Sequence, residues 1–500
     1  MAQGKEISRG HFWLITAGLC LTAAFAALPR LGWSLSTDEP WSLLLVRQGM
    51  GAMQDWFMRD TAQPLYYWLL RGWYLLVGED DFLLRLPSLA FYLAALALTG
   101  WTGRKWSGSL AGLLAAALMA GSHLLGTVKA ASLRPYSLTV LETAAALALF
   151  GLLWQAPQSK PARAAAWLAL TLLYWLALLT HTVFLFFMAA AGLAAVWRGG
   201  RFFIAHGLAA AGGVLLFLLS YGPYLTATLG IPSRSWMSTP GLTDLGLAAA
   251  RLWGAAAVVP LGLMAAALLR RRTREPIWKV WAANRQLAAL LTLVLAAVLG
   301  PFLVGQFYPV FEESRTPVLF LVPASLLTGA ALGRLFSRRA VLAAVAAIAV
   351  LAWGGGALGF FIPERAPTRA SLRAVQPHVQ CGDVFLSAGL AYNAVEVYRQ
   401  RDAVLADCTT HRVFPAEMTQ HPGWIDRTGM LTNGRAELTA EAARQAADLK
   451  EQRPVRVWVF ARSDPFDSIL LTELEKTLGP GAYISFTGNY FDAIRVYTLH

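Results

Sequence analysis

Long apolar runs separated by polar connectors fill the first 361 residues, at about 12–29, 82–101, 108–126, 136–154, 164–180, 182–197, 203–221, 246–269, 286–304, 317–335 and 340–361. Each lies near the roughly 20 residues that cross a hydrocarbon core, so the pattern predicts eleven transmembrane helices. The fifth and sixth meet at Thr180-His181 with almost no connecting loop. The apolar core of the first run is too long for a cleaved signal, and Ala27-Leu28-Pro29 is a poor processing site, so this run is expected to stay in the chain. Residues 30–81 are much longer than a span-to-span connector requires. Beyond Pro363 the pattern changes to short strands alternating with polar helices, with strands expected at 383–387, 455–460 and 493–497 and helices at 391–400, 439–451 and 468–477. That alternation predicts a small α/β domain. The expected fold class is therefore a polytopic α-helical membrane domain over 1–362 followed by a soluble α/β domain over 363–500.

Composition agrees with the pattern. The chain is 56% hydrophobic and only 14% charged, whereas a water-soluble enzyme needs about a quarter of its residues charged. A formal charge of +13 would suggest nucleic acid in a soluble domain, but its distribution points elsewhere. The last 138 residues carry 15 basic and 16 acidic side chains, which leaves 27 basic and 13 acidic in the membrane part. If the N-terminus is cytoplasmic, 17 of those 27 fall on inside connectors, nine fall outside, and Arg251 lies within a span. Of the 13 acidic residues only Glu6 and Glu275 are inside, Glu142 is within a span, and ten are outside. An odd number of spans then puts the C-terminal domain outside the cytoplasm, and polar chemistry is expected on that face. Arg outnumbers Lys 35 to 7, a bias that hints at a bacterial chain and hence at the inner membrane. With three cysteines the chain has no disulfide scaffold, and Cys381 and Cys408 could pair in an oxidising compartment. Cys20, within the first span, reads as a small buried apolar residue.

The first outer connector interleaves Trp33, Trp41, Trp56, Phe57, Tyr66, Tyr67, Trp68, Trp73 and Tyr74 with Leu and Val, the make-up of helices lying among headgroups. Pro40 and Pro64 suit first turns and Gly49 and Gly78 suit ends, so helices are expected over 40–50 and 64–77, as a clamp on the bilayer. Ahead of the first stands Ser36-Thr37-Asp38-Glu39-Pro40. Adjacent carboxylates repel unless donors or a cation hold them. Two explanations are open: Thr37 or Asp38 as an N-cap with Glu39 favoured by the helix dipole, or a general base or metal ligand at the water–lipid boundary.

Asp38-Glu39 in a long first outer loop, then Gln63-Pro64-Leu65-Tyr66-Tyr67-Trp68-Leu69, Arg85-Leu86-Pro87-Ser88 and Arg134-Pro135-Tyr136, resembles the GT-C superfamily of membrane glycosyltransferases. The nearest branch is that of the polyprenyl-phosphate-mannose protein mannosyltransferases and the aminoarabinose transferases of lipid A. The resemblance is good over 11 to about 220, weaker to about 335 and absent beyond Pro363. It implies a GT-C-like catalytic domain that takes a sugar from a polyprenyl phosphate, here undecaprenyl, to an acceptor hydroxyl outside the cytoplasm, with inversion. Many relatives have His where this chain has Gln63, and a second Pro follows it there.

A phosphate leaves as a stable anion, so one carboxylate base and a cationic phosphate site suffice. Asp38 is the expected base, with Glu39 orienting it or sharing a divalent metal ion with it. Lys129 and Arg134, five residues apart in a short connector, with Tyr136, Arg315 and Arg85, are the expected donor-phosphate contacts. Snorkelling to headgroups is the alternative for Lys129, Arg134 and Arg315. Ser314-Arg315-Thr316 partly matches a family feature. Gln63, Tyr66 and Tyr67 are expected to contact acceptor or lipid. His181 is either a satisfied interfacial histidine or a phosphate or acceptor contact. Glu142, two turns into a span, needs a partner, and Arg134 is the candidate. Glu312-Glu313 is expected to solvate its loop. The C-terminal domain shows no Gly-rich phosphate loop, and either docks the acceptor or caps the site. A transporter or flippase of lipid-linked substrate, or a binder without catalysis, are the competing classes. Against transport stand the lack of an internal repeat and the scarcity of midplane charge.

Overall fold

The computed structural model describes every residue except 1–6, 36–37, 59–61, 123–127, 156–158, 230–238, 271–283, 309, 365–366, 420–426, 462–464, 485–492 and 499–500. In chain order the helices are α1 (Arg9–Leu31), α2 (Glu39–Arg47), α3 (Met50–Phe57), α4 (Pro64–Val77), α5 (Asp81–Ser107), α6 (Ser109–Ala120), α7 (Tyr136–Trp154), α8 (Lys160–Thr180), α9 (Phe184–Ala195), α10 (Gly200–Leu229), α11 (Leu242–Trp253), α12 (Val258–Arg270), α13 (Arg285–Gly305), α14 (Leu321–Leu335) and α15 (Arg338–Gly359). The remainder comprises α16 (Thr368–Val375), β1 (Asp383–Ala388), α17 (Ala391–Arg401), α18 (Ala403–Cys408), β2 (Thr409–Phe414), α19 (Arg427–Thr432), α20 (Arg435–Gln452), β3 (Arg456–Ala461), α21 (Pro465–Leu478), β4 (Ala482–Ile484) and β5 (Ala493–Thr498).

The chain is a multi-span membrane protein. Among the described residues eight helices are long and apolar enough to cross a bilayer. The third, sixth and tenth apolar runs form shorter helices, Ser109–Ala120, Phe184–Arg198 and Leu321–Leu335. Each shortening has a local cause. After α6 the chain turns at Gly121, and residues 123–127 lie outside the described set. The sixth run tightens to a 3-10 turn at Val196–Arg198, and the tenth opens with one at Thr316–Leu319. The basic stretch Arg271, Arg272, Arg274 and Lys279, which carries much of the charge bias, also lies outside the described residues.

Two compact units divide the chain, and each is described by itself. The first comprises Met1–Leu31, Ala62–Pro223 and Met237–Ile362. Small residues let its helices approach closely. A Cβ on Gly112 of α6 would collide with the Gly100 carbonyl of α5, and one on Gly329 of α14 with the Ala111 carbonyl of α6. This is how apolar helices associate where burial from water supplies no drive between them.

The second unit comprises Gly32–Thr61, Tyr224–Trp236 and Pro363–His500. Its sheet runs β2-β1-β3-β5-β4, with β1 parallel to β2 and β3, and β5 antiparallel to β3 and β4. The period of two is visible: Val384, Leu386, Ala388, Val457 and Val459 join Leu438, Ala442, Leu449, Phe466 and Leu470 of α20 and α21 in one core. Phe385 and Phe460 alternate with those residues and pack against each other, ring centroids 4.9 Å apart. Every strand and helix expected beyond Pro363 is present, at bounds shifted by a few residues. Cys381 and Cys408, just ahead of β1 and at the end of α18, are joined by a disulfide.

One expectation needs correction. Residues 40–50 were to lie as a helix among headgroups, but α2 buries seven of its nine residues, Trp41 and Leu43 among them, and packs on α17 within the second unit. Aromatic–aliphatic alternation suits a protein partner as well as an interface, and here the protein wins.

Candidate functional site

In the first unit three separate sequence motifs meet. The first turn of α4 opens at Gln63-Pro64, where the proline occupies a position whose N–H would have no helical partner. That turn aims Tyr66 and Tyr67 into the unit, both nearly inaccessible, with their rings edge-to-face and centroids 5.5 Å apart. Tyr66 Oη lies 3.1 Å from Ser88 Oγ on α5. Tyr67 Oη accepts from an Arg134 guanidinium N–H at 3.2 Å. Arg134 and Pro135 lead into α7, whose first residue, Tyr136, carries the Lys129 ammonium 4.3 Å above its ring centroid. The strings around 63–69, 85–88 and 129–136 thus converge at one end of the helices that carry them.

The Lys129 arrangement has chemical content. Among the described residues its ammonium faces an aromatic ring and makes no ion pair, so its charge stays available to an anion, with the quadrupole of Tyr136 holding it in place. The carbonyl of Lys129 accepts from Ser132 Oγ at 2.9 Å and Ser137 Oγ at 3.2 Å, which fixes the backbone of the connector.

Next to this lies a second polar chain. Gln63, 8% exposed, donates to Thr182 Oγ1 at 3.5 Å. His181 ends α8 in extended conformation, and its Nδ1 accepts from the Val183 N–H at 3.4 Å. Thr180 Oγ1 donates to Glu142 Oε1 at 2.6 Å. The expected partner of Glu142 was Arg134, but the structure pairs it with Thr180: two helical turns separate the carboxylate from Arg134, whereas the end of α8 packs beside it.

Arg85 is 2% exposed and donates to the Leu31 carbonyl at 2.9 Å. Its cation satisfies a carbonyl end of α1 and complements that helix dipole, a structural use. Arg315 lies 3.6 Å from Glu312, whose carboxylate also accepts from Ser314 Oγ at 2.6 Å. Glu313 pairs with Arg251 at 2.7 Å. Both acids expected to solvate their loop are therefore engaged by side chains.

Asp38 and Glu39 belong to the second unit. Asp38 stands at the N-cap position of α2, yet its side chain makes no capping bond to that helix. Capping by Asp38 therefore does not account for the acidic pair; Thr37, the other candidate cap, lies outside the described residues. Glu39 opens the helix and is 6% exposed.

A buried polar cluster in the same unit escaped sequence inspection. His411 on β2 places Nε2 2.8 Å from Ser387 Oγ on β1, and Nδ1 2.5 Å from Glu396 Oε2 on α17. Arg399 closes on the Glu396 carboxylate with Nε at 3.0 Å and an amino group at 3.1 Å. Burial pushes Glu396 up, but hydrogen bonds from His411 and Arg399 and their charges outweigh it and hold the carboxyl at about 2. Burial pushes the His411 imidazole below its ordinary value despite the Glu396 charge. Nδ1 of the ring faces Glu396 and Nε2 faces Ser387, so both nitrogens are engaged. Ser387 is fully buried mid-sheet, so the cluster braces α17 on the sheet. Spacings of 9 and 15 residues across a β-α-β segment form no local motif, which is why sequence gave no sign of it.

No protein-family model matches the sequence, and no curated protein matches it by sequence. Solved structures do. ArnT from Cupriavidus metallidurans in the apo state superposes with a TM-score of 0.63 at 14% identity, over 98% of each chain. The same protein bound to undecaprenyl phosphate gives 0.62 at 15% identity, again over 98% of each chain. The Archaeoglobus fulgidus oligosaccharyltransferase, in complex with Zn and sulfate, gives 0.51 at 11% identity over 96% of this chain and 72% of that one. These proteins are members of the GT-C superfamily, and the present chain has their fold.

Proposed function

We propose that the chain is an integral-membrane glycosyltransferase that moves a sugar from a polyprenyl-phosphate carrier to an acceptor hydroxyl on the extracytoplasmic face, with inversion. The observation that carries this reading is the convergence of Lys129, Arg134, Tyr136, Tyr67 and Tyr66 at one end of the helical unit, with the Lys129 charge uncompensated by any described carboxylate. Similarity to a fold solved with undecaprenyl phosphate bound supports it. The Cys381–Cys408 bridge supports an oxidising, extracytoplasmic setting for the C-terminal residues.

Roles follow from charge. Lys129 and Arg134 neutralise the donor phosphate as its bond to the anomeric carbon breaks, and Arg315, beside Glu312, is the third cation assigned to it. Asp38 removes the proton from the attacking hydroxyl. Gln63, His181 and the α4 tyrosines line the polar end of the helices and contact acceptor or lipid head. Arg85 stays with α1. Among the described residues no group of three or more His, Cys, Asp or Glu comes together. A divalent ion at the acidic pair would take Asp38 and Glu39 as protein ligands and fill its remaining positions with water oxygens.

The test is incubation of the purified protein in lipid nanodiscs with a panel of undecaprenyl-phosphate sugars and lipid, glycan and peptide acceptors, in the presence of Mg²⁺ or EDTA. One donor is expected to be consumed with labelling of an acceptor. Labelled lipid crossing a sealed bilayer, with no sugar transferred, would favour transport. Full activity in EDTA would take the metal role from Asp38 and Glu39.

A further inference from the structure

Gly32, Ser34 and Leu35, ahead of Asp38, are tied down by the C-terminal chain. The Gly32 carbonyl accepts from the Arg369 guanidinium at 2.7 Å, and Ser34 Oγ accepts from the Arg369 backbone N–H at 3.2 Å. The Ser34 N–H donates to Glu364 Oε1 at 2.5 Å. The Leu35 N–H donates to the Tyr398 hydroxyl at 2.6 Å, with both residues at 5% exposure or less. Past the acidic pair, Arg47 at the end of α2 donates to Gln400 Oε1 at 2.5 Å. Residues 32–35 before the acidic pair and Arg47 after it are thus held by partners more than 300 residues away in sequence.

Two of those partners, Tyr398 and Gln400, stand on α17, and α17 is itself immobilised. Glu396 locks it to His411 and, through His411, to Ser387 on the sheet, and Arg399 donates to the Thr409 carbonyl at the start of β2. Tyr398 keeps its orientation beneath the Arg401 guanidinium, 5.0 Å from its ring centroid. A side chain whose own position is fixed by packing and further hydrogen bonds transmits that precision to the group it holds.

We infer that Tyr398 is a positioning residue for Asp38: its hydroxyl fixes the backbone at Leu35, three residues ahead of the carboxylate, so that the C-terminal domain acts as the holder of the catalytic segment. The inference rests on the assignment of Asp38 as base and gives the C-terminal domain a task other than acceptor docking. Held backbone keeps the carboxylate within the few tenths of an ångström that proton transfer demands, and a loosened segment loses turnover while leaving donor binding alone.

Tyr398→Phe deletes one oxygen and retains the ring beneath Arg401, so the domain keeps its packing. In the full-length protein in nanodiscs, hydrogen–deuterium exchange of peptides spanning 32–42 is expected to accelerate about tenfold, and kcat to fall about tenfold at unchanged donor KM. Arg369→Met, which removes the guanidinium bond to the Gly32 carbonyl and leaves the backbone bond to Ser34 in place, is expected to show the same pair of effects in smaller size. Unchanged exchange in both variants would overturn the inference, as would faster exchange with full kcat, or a loss confined to donor KM. Failure of the underlying assignment reads differently: Asp38→Asn would then retain turnover whatever exchange shows.

Discussion

Asp38→Asn is expected to lower sugar transfer by about 10²- to 10⁴-fold, the usual contribution of a positioned general base. The substitution is nearly isosteric, and the Asp38 side chain makes no capping bond to α2, so the helix has little to lose. The leaving phosphate needs no proton, so the barrier concentrates on generating the nucleophile. Donor KM is expected to stay within a few-fold, because the carboxylate meets the acceptor. Single-turnover measurements at saturating donor separate the two. Glu39→Gln provides the contrast: Glu39 is 6% exposed at the first position of α2, where its charge complements the helix dipole, and a smaller effect on transfer is expected from an orienting residue.

Removing the cations should act on the other substrate. Lys129→Met with Arg134→Gln is expected to reduce kcat/KM for the donor by about 10²- to 10³-fold, on the scale of removing donors that stabilise a developing anion. Lys129 alone should carry much of this, because Tyr136 holds it and no described carboxylate pairs with it. Arg134→Lys is not expected to restore function fully, since an ammonium cannot reproduce the guanidinium fork that reaches Tyr67 Oη. Because the two cations are expected to serve one anion, their losses should combine less than additively, which a double-mutant cycle reads directly. Arg85→Gln makes a useful comparison: Arg85 is buried and donates to the Leu31 carbonyl, so its loss is expected to lower stability before it touches donor affinity.

What the sequence discloses is governed by range. Helices α7, α13 and α15 are legible because each apolar run is nearly as long as the helix it forms. Strands β1 and β3 are legible from short apolar runs bounded by turn residues. Which faces meet is a different matter. Residues 39–47 display Trp41 and Leu43 in a way that suits either a membrane surface or a protein groove, and only the distant α17 decides. Arg85 looked like any outer-face cation until Leu31, 54 residues earlier, claimed it. Glu142 announced that it needed a partner, but the choice of Thr180 over Arg134 depends on how α7 and α8 pack. The order of the motifs holding Tyr66, Ser88, Arg134 and Tyr136 did forecast that they act together, and their contacts in the first unit agree. Ser387, His411 and Glu396 gave no forecast, since each is unremarkable until adjacent strands bring them side by side.

The side of the membrane that Asp38 faces decides whether any of this chemistry is reachable. A protein carrying Cys20→Ser, Cys381→Ala and Cys408→Ala, with Asp38→Cys as its sole thiol, can be exposed to an impermeant maleimide in right-side-out and inverted vesicles. Labelling in right-side-out vesicles, lost on inversion, is the outcome this account requires. A thiol that reacts only from the cytoplasmic face would contradict it.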